Sequence, residues 1–299
     1  MERLTKFDIL DLDELRVQVL VENSVQMGPP GLRAAHGLSM LVQSRYENEW
    51  ASVLFDVGSD PDILFGNMAV LGIDPSIINC IVLSHDHGDH TGGLPKVIQR
   101  IGKSRLPVVT HPASGRTIFG NRPHIYGGRV KDVDAERIEE AGGSLLAASE
   151  PLEIAPGLFT SGYIERTTKE PTGLDRKVLE PDGTWHEDEV ADDLSLVAKV
   201  KGQGLVVLTG CAHAGVVNIL RHCRKIAGQD RVSALAGGFH LVTAKDDRIA
   251  WTIEEFKAAG LDFIASGHCT GFDAEASLRQ AFGRKYRHIC AGAKICFPQ

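Results

Sequence analysis

No stretch of this 299-residue chain approaches the roughly 18 uninterrupted apolar residues of a membrane-spanning helix, so a membrane partner is not expected. The N-terminus, Met1 to Leu15, carries Asp8, Asp11, Asp13 and Glu14 and lacks a positively charged lead into an apolar core, unlike an export signal. A basic stripe is also missing, and the formal net charge is −7, which argues against nucleic acid as the main partner. The cysteines (Cys80, Cys211, Cys223, Cys269, Cys290 and Cys296) form no Cys-x-x-Cys pair; reduced thiols in a cytoplasm are the simplest account. No Gly-x-Ser-x-Gly elbow offers a serine nucleophile, and no Pro/Ser-rich linker splits the chain.

What is present is an ordinary globular composition, 43% hydrophobic and 24% charged, with 12 histidines. Three of these fall in Ser84-His85-Asp86-His87-Gly88-Asp89-His90, directly after the apolar run Ile81-Val82-Leu83. In extended chain His85 and His87 point to the same side. Gly88 then lets the chain turn, so that Asp89 and His90 approach the same place from another direction. Imidazole and carboxylate are the donors that borderline and hard divalent metals prefer, and four polar groups converging at a strand end are costly without a cation. The spacing points to a metal site rather than a solvated loop.

Along the chain, strands are predicted at 17–21, 38–43, 50–55, 78–83 and 107–110, with helices at 61–71 and 93–101. The second half follows the same pattern, with strands at 152–161, 194–200, 205–208, 231–236, 263–265 and 287–289, and helices at 216–227, 248–259 and 274–282. This predicts an α+β chain over 1–299: two sheets packed face to face with helices on both outer faces, an αββα sandwich forming a single domain. Residues 163–193 are dense in charge and poor in periodicity, and read as a polar insertion, either a lid or disordered. Trp185 and His186 in its middle favour a lid.

The His-x-His-x-Asp-His spacing after a buried strand resembles the signature of the metallo-β-lactamase superfamily. That resemblance implies two divalent cations, zinc first with manganese or iron as alternatives, and further ligands at the ends of later strands. Thr209-Gly210-Cys211 resembles the element whose aspartate bridges the metals, with Cys211 in the aspartate's place. A thiolate there favours zinc over manganese or magnesium; a small buried hydrophobe is the competing role. His213 would supply a histidine that other members place earlier, with His111 as the alternative. His268 matches the last histidine ligand, and Cys269 is expected to face away from it. Asp56, in an Asp-x-Gly turn, would brace the histidine loop. Asn23 and His36 would line the pocket, and His240, after Gly237-Gly238-Phe239, would be a proton donor, a substrate contact or a structural residue.

The combination of 35–39, 209–215, 237–240 and 267–271 resembles more particularly a branch of metal-dependent hydrolases. That branch includes an archaeal synthase of a dihydropterin–ribofuranosylaminobenzene phosphate, and the resemblance runs over about 17–297. It implies that His85, His87 and His213 hold one metal while Asp89, His90 and His268 hold the second, with Cys211 near both. Asp89 would also orient the nucleophile and accept its proton; independently of the resemblance, the position of Arg166 and Lys169 in the polar insertion makes one of them a candidate to grip a substrate phosphate. The activity implied is hydrolysis of an ester, phosphoester or related bond of a small molecule by water activated between two metals. A pterin-phosphate synthase, a di-iron redox protein and a metal sensor without turnover are the competing readings. A homo-oligomer is compatible with all of them.

Overall fold

The computed structural model describes residues 9–120, 124–171, 175–229 and 231–298. The N-terminal reading therefore falls partly on residues outside the described ones. Two seven-stranded sheets dominate. The first runs, in spatial order, Lys294–Phe297, Glu14–Val21, Ser39–Tyr46, Glu49–Phe55, Cys80–Val82, Leu106–Thr110 and Gly143–Ala147. The second runs Tyr286–His288, Phe263–Ser266, Val232–Gly237, Gly204–Thr209, Ser195–Val200, Leu158–Thr160 and Glu153–Ala155.

Side chains alternate across each strand, and the sequence uses both faces. Met40, Val42, Val53 and Phe55 of the first sheet pack with Leu196, Ala198, Val206 and Leu208 of the second in one buried cluster. The intervening Leu41 and Leu54 face the other way, onto Leu64, Met68, Val97 and Ile98 of the helices Pro61–Val70 and Leu94–Ile101. On the far side Val197, Leu205 and Val207 pack against the helices Val216–Ala227, Asp246–Ala259 and Phe272–Phe282. Strands covered on both faces read as continuous apolar runs, which is how these appear in the sequence. The layers are helix, sheet, sheet, helix, as expected.

Each sheet is antiparallel on one side and parallel on the other. Glu49–Phe55 through Gly143–Ala147 are parallel, as are Gly204–Thr209 through Tyr286–His288. In parallel halves, chains leave the carboxyl ends of neighbouring strands on the same side, which is where such sheets build ligand sites. Asp56, His85, Cys211, His240 and His268 all follow such strand ends.

Three expectations need correction. Residues 152–161 are two strands, Glu153–Ala155 and Leu158–Thr160, because Pro156 and Gly157 (φ 71°) turn the chain between them. A third sheet joins Trp185–Glu187, Lys177–Leu179, Thr117–Gly120 and Tyr126–Arg129. The polar insertion at 163–193 thus contains a hairpin seated on 117–120, and is not a structureless loop. Several of its acids are interior: Glu170, Asp188, Asp192 and Asp193 are all buried. Among the described residues no helix is long and apolar enough to cross a membrane.

Candidate metal centre

The cluster is assembled from its outer braces inward. Asp56, with φ 60°, is fully buried at the end of Glu49–Phe55. Its Oδ1 accepts from Ser84 N at 2.7 Å, and its Oδ2 accepts from Ser84 Oγ at 2.7 Å. The same Oδ2 lies 2.7 Å from His90 Nδ1. A carboxylate only accepts, so Nδ1 of His90 carries a proton and Nε2 is the ring atom left to meet a metal. Ser84 Oγ, having donated its hydrogen to Asp56, accepts from His85 Nδ1 at 2.8 Å, which frees the Nε2 lone pair of His85 likewise.

His268 is set by different partners. Its N–H donates to Glu22 Oε1 at 2.6 Å, and its Nδ1 lies 3.2 Å from Asn23 Oδ1. Gly37 N also donates to that oxygen at 3.2 Å, and Asn23 Nδ2 donates to His268 O at 3.3 Å, which fixes the amide's orientation. His268 Nδ1 therefore carries its proton, and Nε2 faces inward.

Inside this frame the donors converge. His90 Nε2 is 3.1 Å from His268 Nε2 and 3.1 Å from Cys211 Sγ. Asp89 Oδ2 is 3.3 Å from His268 Nε2 and 3.8 Å from His90 Nε2. His85 Nε2 is 2.9 Å from His87 Nδ1, and these two share a donor group with His213, all within 4.8 Å of one another. Cys211 sits between, grouped with His85 and His90 on one side and with His213 and His240 on the other. Lone pairs held about 3 Å apart in a buried site repel unless a cation or proton lies among them. That convergence fits divalent metal on the nitrogen, oxygen and sulfur donors present.

Electrostatics follow the same geometry. Burial, then the neighbouring imidazoles, hold His85 well below the ordinary histidine range. Burial and the Arg176 cation bring His87 down to about 3. Both are thus neutral donors. Burial pushes Asp89 up, but the hydrogen bond from His268 and the charge of His90 outweigh it and keep the carboxyl strongly lowered, hence ionised. In the metal-free protein His90 goes to about 9 because Asp56 overcomes the penalty of burial, so a second proton sits on its Nε2, in the place a cation would take. Burial raises the Cys211 thiol well above its ordinary value in the metal-free site.

His36 and Asn23 reach the site as expected, His36 Nε2 lying 3.3 Å from Asp89 Oδ2. His240, at φ 47°, stacks its ring 4.1 Å from that of His213. His111 is in no donor group; its Nδ1 accepts from Ala113 N at 3.1 Å, so His213 and not His111 meets His85 and His87. Arg166 does not reach out to a substrate: its guanidinium donates to the carbonyls of Glu189 and Val190. Lys169 lines a separate cavity with Arg248 and Trp251. Cys269 does not face away, because His268 has φ 54° and opens a short turn over His268–Thr270, so its neighbour swings back toward Cys211.

Sequence reasoning missed the braces that come from the polar insertion. Asp192 Oδ2 accepts from Asp86 N at 2.9 Å, holding the chain between His85 and His87. Asp193 Oδ2 accepts from Ala214 N at 2.6 Å, holding the His213 loop. Glu170 accepts from Val217 N and Asn218 N, capping the helix that follows that loop. Their spacing carries no motif; only burial of so many acids marks them. A cavity of about 310 Å³ opens beside His87 and Gly88, walled by Ile118, Phe119, Tyr126 and Arg176.

Residues 33–168 match the model of the metallo-β-lactamase superfamily. The chain is 35% identical over 293 residues to the 7,8-dihydropterin-6-methyl-4-(β-D-ribofuranosyl)-aminobenzene-5′-phosphate synthase of Methanocaldococcus jannaschii, covering 96% of this chain and 98% of that protein. An uncharacterised protein of the same organism is 29% identical over 273 residues, covering 91% and 97%. Among solved structures, a metal-dependent hydrolase of the β-lactamase superfamily superposes with a TM-score of 0.78 at 30% identity, over 94% of this chain and 98% of that one. A diphosphatase of the PhnP family shares the fold, with a TM-score of 0.52 at 16% identity over 96% of this chain and 98% of that one.

Proposed function

The chain belongs to the metallo-β-lactamase superfamily, and we propose that it is a metal-dependent hydrolase acting on an ester, phosphoester or related bond of a small molecule. His85, His87 and His213 would hold one divalent cation, and Asp89, His90 and His268 a second, with Cys211 between them. Two cations so held supply Lewis acidity and lower the pKa of bound water. The observation that carries this reading is the pairing of His90 Nε2 with His268 Nε2 at 3.1 Å, each with its N–H side committed elsewhere.

The chain's own groups then divide the work. Asp89, ionised and a fifth exposed, orients the attacking water and takes its proton. His240, buried against His213, donates to the leaving group. Arg176 at the cavity wall attracts an anionic substrate, and Phe119 and Tyr126 offer apolar faces to a flat ring.

The test is a screen of phosphodiesters, lactones and thioesters against zinc-, manganese- and iron-loaded protein. Turnover of at least one class is expected, lost in Asp89→Ala, which keeps its circular dichroism because the substitution lies in the single helical turn Gly88–Thr91, outside the sheets and their packed cores. Silence on all classes by metal-loaded protein would overturn the assignment and favour a sensor. A pterin-phosphate synthase is the second reading, supported by the 35% identity over 96% of the chain. It requires pyrophosphate release when the protein meets a dihydropterin diphosphate and the aromatic acceptor; its absence removes that reading.

A further inference from the structure

The second cation position carries more sulfur than its neighbours in sequence suggest. The positive φ of His268 turns Cys269 inward, so that its Sγ lies 3.4 Å from the carbonyl oxygen of Cys211. The donor atoms of Cys211, His268 and Cys269 all fall within 4.8 Å of one another. Room for that thiol is made by Gly238: a Cβ there would stand 2.6 Å from Cys269 Sγ and 2.5 Å from Gly210 O. Gly238 N is clamped to Gly210 O at 2.9 Å, so the backbone cannot back away. The other four cysteines lie elsewhere: Cys80 and Cys223 are buried among apolar side chains of the cores, Cys290 packs at the edge of one of them, and Cys296 lies on the strand Lys294–Phe297 opposite Arg16.

We propose that Cys269 is a further donor beside Cys211, His90 and His268, making the second position a two-thiolate site. Resting as it does on the reading of this cluster as a metal centre, the inference concerns which metal that centre takes. Beside the Asp89 carboxylate, two imidazoles and two thiolates make a nitrogen- and sulfur-rich donor set of the kind that borderline-soft cations such as Zn2+, Co2+ and Cd2+ prefer. Mn2+ and Mg2+ prefer oxygen, and only Asp89 offers one from the described residues of this cluster. The position therefore selects zinc-like metal over hard cations, the reverse of what an aspartate at 211 would give.

The test loads metal-free protein with Co2+ and reads the thiolate-to-cobalt charge-transfer absorption in the near ultraviolet, which grows with the number of coordinated sulfurs. Wild type, Cys211→Ser, Cys269→Ser and, as a control, Cys290→Ser are compared at full occupancy. Cys269→Ser is expected to lose about half of the band and at least about tenfold of the affinity for the second metal, with Cys290→Ser unchanged. Alkylation of the wild-type chain with and without zinc, mapped by peptide mass, keeps the test independent of how the variants fold. Zinc should protect Cys211 and Cys269 together and leave Cys290 reactive. A full charge-transfer band in Cys269→Ser, or zinc that fails to protect Cys269, overturns the proposal. A two-sulfur band on a protein that hydrolyses nothing would leave this inference standing and remove the hydrolase reading instead.

Discussion

Asp56 Oδ2 stands 2.7 Å from His90 Nδ1, and neither side chain has any exposed surface. One carboxylate thereby sets the proton position on His90 directly and on His85 through Ser84. The relay uses three donors on two oxygens, since Ser84 N also donates to Oδ1. Asp56→Asn leaves one acceptor oxygen for those three donors. It is expected to weaken metal binding 10- to 100-fold, measured by competition with a chromophoric chelator. Unchanged affinity would show that the histidines orient themselves.

Gly210 packs directly against Ser84, where the two strand-end loops meet. A Cβ at this position would sit 2.0 Å from Ser84 Oγ and 2.4 Å from Ser84 Cβ. Gly210→Ala must displace Ser84 and with it the link to His85. We expect about 1–3 kcal/mol of lost stability from the forced overlap, seen in denaturant unfolding, together with weaker metal uptake. A variant as stable and as metal-replete as wild type would mean that the loops tolerate separation.

Arg176 lies at the wall of the cavity beside His87, and its charge is one cause of the low pKa there. Arg176→Met should raise KM for phosphate- or carboxylate-bearing substrates about tenfold or more, while kcat/KM for small neutral esters stays within about twofold. That contrast follows from losing one charge-assisted contact. Equal losses on both substrate types would place Arg176 in the catalytic step or in the support of His87.

Asp193 gives a pH signature in the metal-free protein. Its carboxyl is buried and goes up to about 7, burial outweighing the hydrogen bond from Ala214 N. A raised carboxyl pKa means that folding favours the neutral acid. Stability is fully retained below the unfolded value of 3.8 and falls as pH climbs toward about 7, where the folded group ionises at last. Asp193→Asn keeps an acceptor for Ala214 and removes that fall. Thermal midpoints of metal-free protein at pH 5 and pH 8 should show the variant gaining on wild type with rising pH. A constant difference would mean that Asp193 is not the titrating group.

Much of the site is legible in the sequence because it is local. His85, His87, Asp89 and His90 lie within six positions; the extended run through His87 is read correctly, while the chain is brought round by the one-turn helix Gly88–Thr91 and not by a glycine at positive φ. Cys211, His213 and His268 are legible as residues, since each follows a buried strand, but their meeting depends on two sheets facing each other. Glu22 and Asn23 are harder: they act on His268 across 246 and 245 positions, and nothing in their own neighbourhood announces it. Cys269 defeats the alternation rule, which holds only in extended chain, and a positive φ at histidine leaves no mark in the sequence.

The outer layers divide in the same way. Leu94, Val97, Ile98 and Ile101 sit at helical spacing and all are buried, so the helix is readable. Tyr126–Arg129 is exposed along its whole length and carries two glycines, so no apolar pattern marks it as a strand. Lys294–Phe297 pairs with Glu14–Val21, a partner at the other end of the chain that propensity does not supply. The polar insertion hides its structure most fully, because Glu170, Asp192 and Asp193 look like solvated acids until the backbone N–H groups they accept from are known.

The central claim is tested most directly by anomalous scattering from crystals of protein purified without added metal and then loaded with zinc. Two peaks about 3.5–4 Å apart are predicted, one against His85, His87 and His213, the other against Asp89, His90 and His268. A single peak, a peak away from these side chains, or none at saturating zinc would contradict the account.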